Sequence, residues 1–367
     1  MQASKKTVIV APLDWGLGHA TRCIPIIRAL ELAGHRVILV TGGRPLKLLK
    51  KEFSNAVFYD VPSYNIVYQK RGSFLIKLTI QLRKILGGIL RENRSLRTII
   101  ARETPDLIIS DNRYGIRSKK VYSVFISHQM MIKIPGSSFL EKVVEKWLRF
   151  QHAKFDEIWM PDTAGNPNLS GDLSHKPPLL KNSRFIGLLN RFELKETTSE
   201  IKNDVLCILS GPEPQRSIFE QKIVEQAVHL QRKFIIVQGI SEQKSDVWVN
   251  DHVRMISHAH ARKLMDLISD SRVIISRGGY TTLMDLVPLN KRCIFVPTPG
   301  QTEQQYLVKT LADHDLCVHM EQKEFDLKSA LEQVEKIKSF HLDISINTFQ
   351  KDLESALINS ERKVQGR

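Results

Sequence analysis

Cysteine is scarce in this sequence: four among 367 residues, Cys23, Cys207, Cys293 and Cys317, far apart and without paired spacing. That excludes a disulfide framework and a cysteine zinc site, and makes a reducing, cytoplasmic compartment the expectation. Long apolar runs are missing too. No uncharged stretch approaches the ~18 residues of a membrane-spanning helix. The run Thr7 to Pro12 behind Lys5 and Lys6 is too short for a signal-peptide core. There is no repeat of solenoid length and no low-complexity tract. Aromatic residues make up only 7% and do not interleave with the basic ones, and no nucleic-acid-binding module is recognisable, so nucleic acid is not the expected partner. Acidic residues are also in deficit, 39 against 54 lysines and arginines, a net charge of +15. Residues 1–190 hold 30 of those basic residues against 14 acids, whereas residues 191–367 are almost balanced at 24 and 25. An anionic partner is therefore expected for the first half alone.

What the chain does have is alternation. Short β-branched runs alternate with longer amphipathic stretches, the pattern of parallel sheets with crossover helices. Strands are predicted at 7–11, 36–40, 56–61, 107–110, 121–126, 157–160 and 184–186. A helix is predicted over Ala20 to Ala33, closed by Gly34. Residues 161–183, with Pro161, Gly165, Pro167, Gly171 and Pro177-Pro178, read as loop. The alternation then restarts, with strands at 205–209, 234–237, 273–276 and 293–296. The expected fold is α/β with two doubly wound, Rossmann-like domains facing each other across a cleft. An N-terminal domain spans 1–186, a linker 187–203, a second domain 204–345, and a terminal helix and tail 346–367 pack back across the junction. Ligands of such sheets lie outside the carboxyl ends of the strands.

The first strand runs into Asp14-Trp15-Gly16-Leu17-Gly18-His19-Ala20-Thr21-Arg22. Gly16 and Gly18 permit a tight turn into the helix, whose first amides suit an anion. A dinucleotide fingerprint would need a third glycine where Thr21 stands and an acid after strand 2, where Thr41-Gly42-Gly43 is found; a nicotinamide dehydrogenase is demoted. His19, at the first helical turn, is the candidate general base, because a free imidazole titrates near working pH, the plainer alternative being a histidine that packs the loop. In the second half, Ser276-Arg277-Gly278-Gly279-Tyr280-Thr281-Thr282-Leu283-Met284-Asp285 repeats the device. Gly278, Gly279, Thr281 and Thr282 suit a diphosphate, and Asp285 ribose hydroxyls. Gln304 and Gln305, after Pro297-Thr298-Pro299-Gly300, can bond sugar hydroxyls. His258 and His260 read as helix-start residues rather than metal ligands.

These segments together resemble glycosyltransferase family 28 of the GT-B class, which includes the enzyme that adds N-acetylglucosamine to lipid I. The resemblance rests most on Ser276 to Asp285, Phe295-Val296-Pro297 and Gln304-Gln305-Tyr306. It implies that Gly278 to Thr282 hold a nucleotide diphosphate, that Asp285 stands where a ribose-binding Glu is usual, and that Gln304 and Gln305 contact the donor sugar. Gly187-Leu188-Leu189-Asn190-Arg191 resembles the segment whose arginine neutralises the diphosphate. Ile256 falls where uracil meets backbone. Ser210-Gly211-Pro212-Glu213 occupies the place of a glycine-rich phosphate loop, with Ser210 and Gly211 able to serve and Pro212 lacking a donor. Ile126-Ser127-His128-Gln129 lies where relatives carry His-Glu-Gln-Asn, which argues against lipid I as acceptor. With Asp111, Asn112 and Arg113, residues His128 and Gln129 are assigned to the acceptor side.

The expected activity is sugar transfer from a UDP-sugar, a substrate rather than a cofactor, to a lipid-linked, glycolipid or saccharide acceptor, with inversion and without a metal. A second reading follows from Gly-x-Gly-His-x-x-Arg, which also resembles UDP-sugar hydrolases of nonulosonic acid synthesis. A basic nucleic-acid-binding protein is a third. Residues 71–100 interleave Lys77, Arg83, Lys84, Arg91, Arg94 and Arg97 with leucines and isoleucines. That suggests peripheral attachment to the anionic inner membrane face, against the plainer reading of a helix with a solvated basic face.

Overall fold

The computed structural model describes residues 5–64, 74–132, 138–192, 201–240, 245–337 and 348–365; the side chains of 74–82, 138, 364 and 365 are not among those described. The chain divides into two compact units. The first comprises 1–166, 172–189 and 345–367, the second 167–171 and 190–344. Residues 193–200 of the expected linker lie outside the described residues.

In the first unit β1 (Thr7–Pro12), β2 (Arg36–Thr41), β3 (Val57–Asp60), β4 (Leu107–Asp111), β5 (Tyr122–Ile126), β6 (Glu157–Met160) and β7 (Ser183–Phe185) form one parallel sheet in the order β3-β2-β1-β4-β5-β6-β7. The strands are near-continuous apolar runs because helices cover both faces: Val8, Ile9, Val10 and Ala11 are all fully buried. α1 (Gly18–Leu32) connects β1 to β2 and ends as the sequence predicts. Gly34 adopts φ +78°, its amide reaches Glu31 O at 2.9 Å, and the His35 amide reaches Leu30 O at 3.0 Å, a Schellman closure. α2 (Gly43–Glu52), α3 (Phe74–Glu103), α4 (Ser138–His152) and the short α5 (Asp172–His175) complete the crossovers, α5 interrupting a stretch expected to be loop.

The second unit builds β8 (Asn203–Ile208), α6 (Gln215–Ala227), β9 (Phe234–Val237), β10 (Asp246–Trp248), β11 (Val253–Ile256), α7 (Ala261–Ser269), β12 (Ser271–Ser276), α8 (Tyr280–Leu286), β13 (Arg292–Phe295), α9 (Thr302–Ala312), β14 (Val318–His319) and α10 (Leu327–Lys336). Its order is β10-β11-β9-β8-β12-β13-β14, parallel except for β10. β10, β11 and β14 are absent from the sequence-based prediction. β10 is a fully exposed three-residue edge strand and β14 has only two residues, so neither carries an apolar alternation to read.

The last helix, α11 (Gln350–Gln365), belongs to the first unit, against β4 and β5. Lys363 Nζ meets Asp156 at 2.7 Å, Arg184 meets Asp352 at 3.2 Å, and Lys6 meets Glu361 at 2.7 Å. These contacts tie α11 to the flanks of the first sheet.

In both sheets the strand order reverses beside the first strand, between β1 and β4 and between β8 and β12. In open parallel sheets such a reversal is where neighbouring crossovers part and a ligand crevice forms at the carboxyl ends of the strands.

Candidate active site

At the first crevice, Pro12 pairs in register with Asp111, and the Leu13 amide continues the ladder to Asp111 O at 3.0 Å. The chain then turns through Gly16, at φ +74°, and starts α1, which sets His19 over the end of β4. His19 Nδ1 lies 3.0 Å from Asp111 Oδ1. Asp111 is fully buried and receives Arg22 as well, Nε on Oδ2 at 2.6 Å and Nη2 on Oδ1, with the Cys23 thiol 3.5 Å from Oδ2. Burial opposes ionisation of Asp111, but Arg22 and His19 outweigh it and hold the carboxyl well below the usual carboxylate range. A permanent anion on Nδ1 selects the tautomer in which Nδ1–H donates to Asp111, so Nε2 carries the lone pair. Arg22 Nη2, 2.9 Å from the same Nδ1, then acts on the ring as a neighbouring charge rather than as a donor. Burial lowers the His19 pKa, Asp111 raises it and Arg22 lowers it again, leaving it below the ordinary imidazole value. With 17% of its side chain exposed, His19 is neutral at pH 7, aimed by a carboxylate and reachable. That is the arrangement of a general base.

The five residues assigned to the acceptor side have different environments. Asp111 serves His19 from within the fold and is not an exposed acceptor contact. Arg113, two residues on, faces the opposite side of the sheet and is fully buried. Its Nε binds Glu92 at 2.8 Å, and its Nη atoms bind Val40 O at 3.0 Å and Val61 O at 2.6 Å. It ties the ends of β2 and β3 to α3 and leaves nothing for a substrate. Asn112 makes the bend between these two fates at φ +57°, a conformation its short amide side chain tolerates. His128 is buried, with Nδ1 3.0 Å from Arg22 Nη1 and its carbonyl receiving Ser174 Oγ. Gln129 is half-buried, its amide donating to Ser127 Oγ at 3.1 Å. His128 thereby joins the His19–Asp111–Arg22 network from the loop after β5. Arg22, whose guanidinium organises that network, stands in the sequence as the last residue of the Gly-x-Gly-His-x-x-Arg motif; its local signal is its place one turn of helix after His19.

The second crevice collects the loops after β8, β12 and β13. Ser276 Oγ donates to Ile208 O at 2.9 Å, which sets the Gly278-Gly279 turn beside exposed Ser210 and Gly211. Gly278 leaves no room for a side chain, because a Cβ there would lie 1.9 Å from Val308 Cγ2 on α9, whereas at Gly279 it would find nothing nearer than Gln304 Nε2 at 3.9 Å. Thr281 and Thr282 follow in the first turn of α8, half-buried. Gln304 is partly committed: its Oε1 accepts the Thr298 amide at 2.9 Å, so it braces the loop after β13, while its Nε2 lies on the Gly279 side. Gln305 is half-buried on the same turn of α9. Ile256 ends β11, its carbonyl taken up by the Gln238 amide at 2.9 Å.

Asp285 does not lie exposed to a ribose. It is 3% exposed, and Arg191 Nε sits 2.9 Å from its Oδ2, close enough for an ion pair though off the N–H direction of a hydrogen bond. Asn190 Nδ2 secures the approach through Met284 O and Asp285 O at 3.0 and 3.2 Å. Burial pushes the Asp285 carboxyl up to about 6 in spite of the guanidinium. The two residues expected to hold ribose and diphosphate thus hold each other in the free chain. His260 caps α7, accepting the Lys263 amide. Among the described residues no cluster of three or more His, Cys, Asp or Glu is placed to hold a metal.

Several comparisons bear on these two sites. Residues 205–359 match the model of the glycosyltransferase family 28 C-terminal domain. The chain is 24% identical over 327 residues, 84% of its own length and 90% of the other's, to an uncharacterized glycosyltransferase of Methanopyrus kandleri. Over 164 residues, 43% of this chain and 44% of the relative, it is 28% identical to the UDP-N-acetylglucosamine--N-acetylmuramyl-(pentapeptide) pyrophosphoryl-undecaprenol N-acetylglucosamine transferase of a Sulfurihydrogenibium species. Among solved structures, the glycotransferase of kitacinnamycin superposes with a TM-score of 0.63 at 13% identity, covering 99% of this chain and 95% of that one. That likeness is one of fold.

Proposed function

We propose that this chain, a glycosyltransferase of the family 28 and GT-B type, moves a sugar from a UDP-sugar to a hydroxyl of a lipid-linked or saccharide acceptor. The observation that carries the reading is the His19–Asp111 pair at the first crevice, 3.0 Å apart, with Nδ1 committed and Nε2 left to take a proton. In this reading Nε2 removes the acceptor hydroxyl proton as its oxygen attacks the anomeric carbon from the face opposite the leaving group, which inverts that centre. The proton's positive charge develops beside Asp111, already ionised, so little reorganisation accompanies the step.

The second unit holds the donor. Gly278, Gly279, Thr281 and Thr282 receive the diphosphate with Ser210 and Gly211. Arg191 exchanges Asp285 for the phosphates, and Asp285, so released, turns to the ribose. Ile256 flanks the uracil, and Gln304 Nε2 and Gln305 face the sugar. Charge building on the departing UDP is then met by a guanidinium and backbone amides, and no step calls for a metal.

Support for a membrane-borne acceptor comes from α3. Leu86 and Leu90 are 42% and 72% exposed among exposed Arg83, Lys84, Arg91, Arg94 and Arg97, an amphipathic surface suited to an anionic leaflet. Lys77 and the apolar side chains of 74–82 lie outside the described residues. No helix among the described residues is long and apolar enough to cross a membrane. A thermal-shift screen with UDP, UDP-sugars and other nucleotide sugars tests the donor assignment. Uridine nucleotides raise the melting temperature of the wild type and raise that of Asp285→Ala less. If none shifts the wild type, the donor reading fails. Free sugar released without any acceptor would instead mark a hydrolase.

A further inference from the structure

One buried hydroxyl in the second unit has no hydrogen-bond partner among the described residues. Thr298, third residue after the end of β13, is 2% exposed, and its Oγ1 makes no hydrogen bond among the described residues. Its backbone is not loose. The Thr298 amide donates to Gln304 Oε1 at 2.9 Å, and Thr298 O receives the Gln301 amide at 3.0 Å. The hydroxyl faces the loop after β8: a Cβ built on Gly211 would lie 3.5 Å from Oγ1, and Gly211 stands at φ +108°, which other residues rarely adopt. A chain that needed only to fill this space would place valine there, since burying an unpaired hydroxyl is costly.

The surroundings favour an anion. Arg277, 2% exposed, clamps the two loops that flank Thr298. Its Nη1 binds Val296 O at 3.1 Å and Pro297 O at 3.2 Å, and its Nη2 binds Gln215 O at 2.9 Å and Gln322 Oε1 at 2.6 Å. All four partners are neutral, so a buried guanidinium charge stands beneath the crevice with no carboxylate paired to it among the described residues. Its Nε is buried and unbonded as well.

We propose that Thr298 is a phosphate ligand of the donor site, its Oγ1–H donating to a phosphoryl oxygen of a nucleoside diphosphate held by the Ser210-Gly211 and Gly278-Gly279 loops. The inference rests on the donor reading above but requires only a nucleoside diphosphate, not uridine. It also gives Gln304 a second task, fixing the residue that carries this hydroxyl, which explains why its Oε1 is turned away from solvent and onto an amide.

Calorimetric titration of the full chain with UDP, dTDP, GDP and ADP, and with the matching nucleosides, tests it on Thr298→Val and Thr298→Ser. Valine copies the shape and removes only the donor, so the free variant melts no lower than wild type. The expected result is a loss of about tenfold or more in diphosphate affinity for Thr298→Val, unchanged affinity for the nucleoside, and near-wild-type binding by Thr298→Ser. Diphosphate binding by Thr298→Val equal to wild type overturns the assignment and leaves the donor reading standing; so does an equal loss for diphosphate and nucleoside. A wild type that binds no nucleoside diphosphate overturns both. The selective loss with a base other than uracil upholds Thr298 and removes the choice of UDP.

Discussion

Replacing Asp111 by asparagine separates the two jobs the structure gives this carboxylate. Its negative charge compensates Arg22, only 1% exposed, and its oxygen fixes the His19 tautomer. Removing one partner of a buried ion pair costs about 3–5 kcal/mol, because the remaining charge is stranded. For a unit of this size each kcal/mol lowers the melting temperature by about 2–4 °C, so a drop of roughly 6–20 °C is expected in the transition of the first unit. The catalytic loss is distinct. The asparagine amide can donate to His19 Nδ1, which moves the ring proton to Nε2 and abolishes the base, a loss of about 10²–10⁴ in turnover. UDP release measured below the variant's melting transition, at saturating donor and acceptor, reads this loss, while donor affinity, a property of the other unit, stays at the wild-type value. His19→Gln alone should cost about as much, and the double variant little more, because the two residues act as one device. Turnover of Asp111→Asn within threefold of wild type, or losses that multiply in the double variant, would refute the assignment.

Other consequences follow from particular contacts. Since the His19 pKa lies below the ordinary 6.5, the acid limb of kcat/KM should fall below pH 6.5, where the imidazole takes its proton; a limb above that value contradicts the environment described. The same shift means that the unfolded chain binds this proton first, so stability falls as pH drops through 6.5, and His19→Gln should flatten that slope in melting curves. Gly278→Ala drives a methyl into Val308, and overpacking of this kind costs about 1–3 kcal/mol or more. Calorimetry should show the loss largely recovered by adding Val308→Ala, and no recovery would mean that the glycine serves something other than packing.

The two crevices were legible in the sequence because each is announced locally: a β-branched run, a glycine turn and a helix start within about a dozen residues. Strand ends at Met160 and Val237 fall where the sequence puts them for the same reason. What local pattern cannot supply is the partner of a side chain across the sheet. His19 and Asp111 are 92 positions apart and meet only because β4 pairs with β1, a fact of strand order. Nor does a polar cluster declare its sides. Asp111 and Arg113 look alike as residues after a strand, yet the left-handed turn at Asn112 sends one to the crevice and the other into the core. Asp285 shows the same limit: it occupies the expected position, but its pairing with Arg191 depends on how the segment after β7 returns along α8. Thr298 carried no signal beyond its place after a strand, because an unpaired hydroxyl is visible only once its surroundings are known.

The basic first half acquires a location from the fold. The acidic shortfall lies in the unit that contains His19 and the exposed arginines of α3, whereas residues 191–367, which hold the family-domain match, are almost balanced in charge. The central claim is sugar transfer from a UDP-sugar with His19 as base. Its most direct test is acceptor-dependent UDP release by wild type and His19→Ala, with UDP affinity measured on the same preparations. The account predicts release by the wild type, a fall of about 10²–10⁴ in rate for the variant, and the same UDP affinity in both. An unchanged rate in His19→Ala, or no acceptor-dependent release from any UDP-sugar, would contradict it.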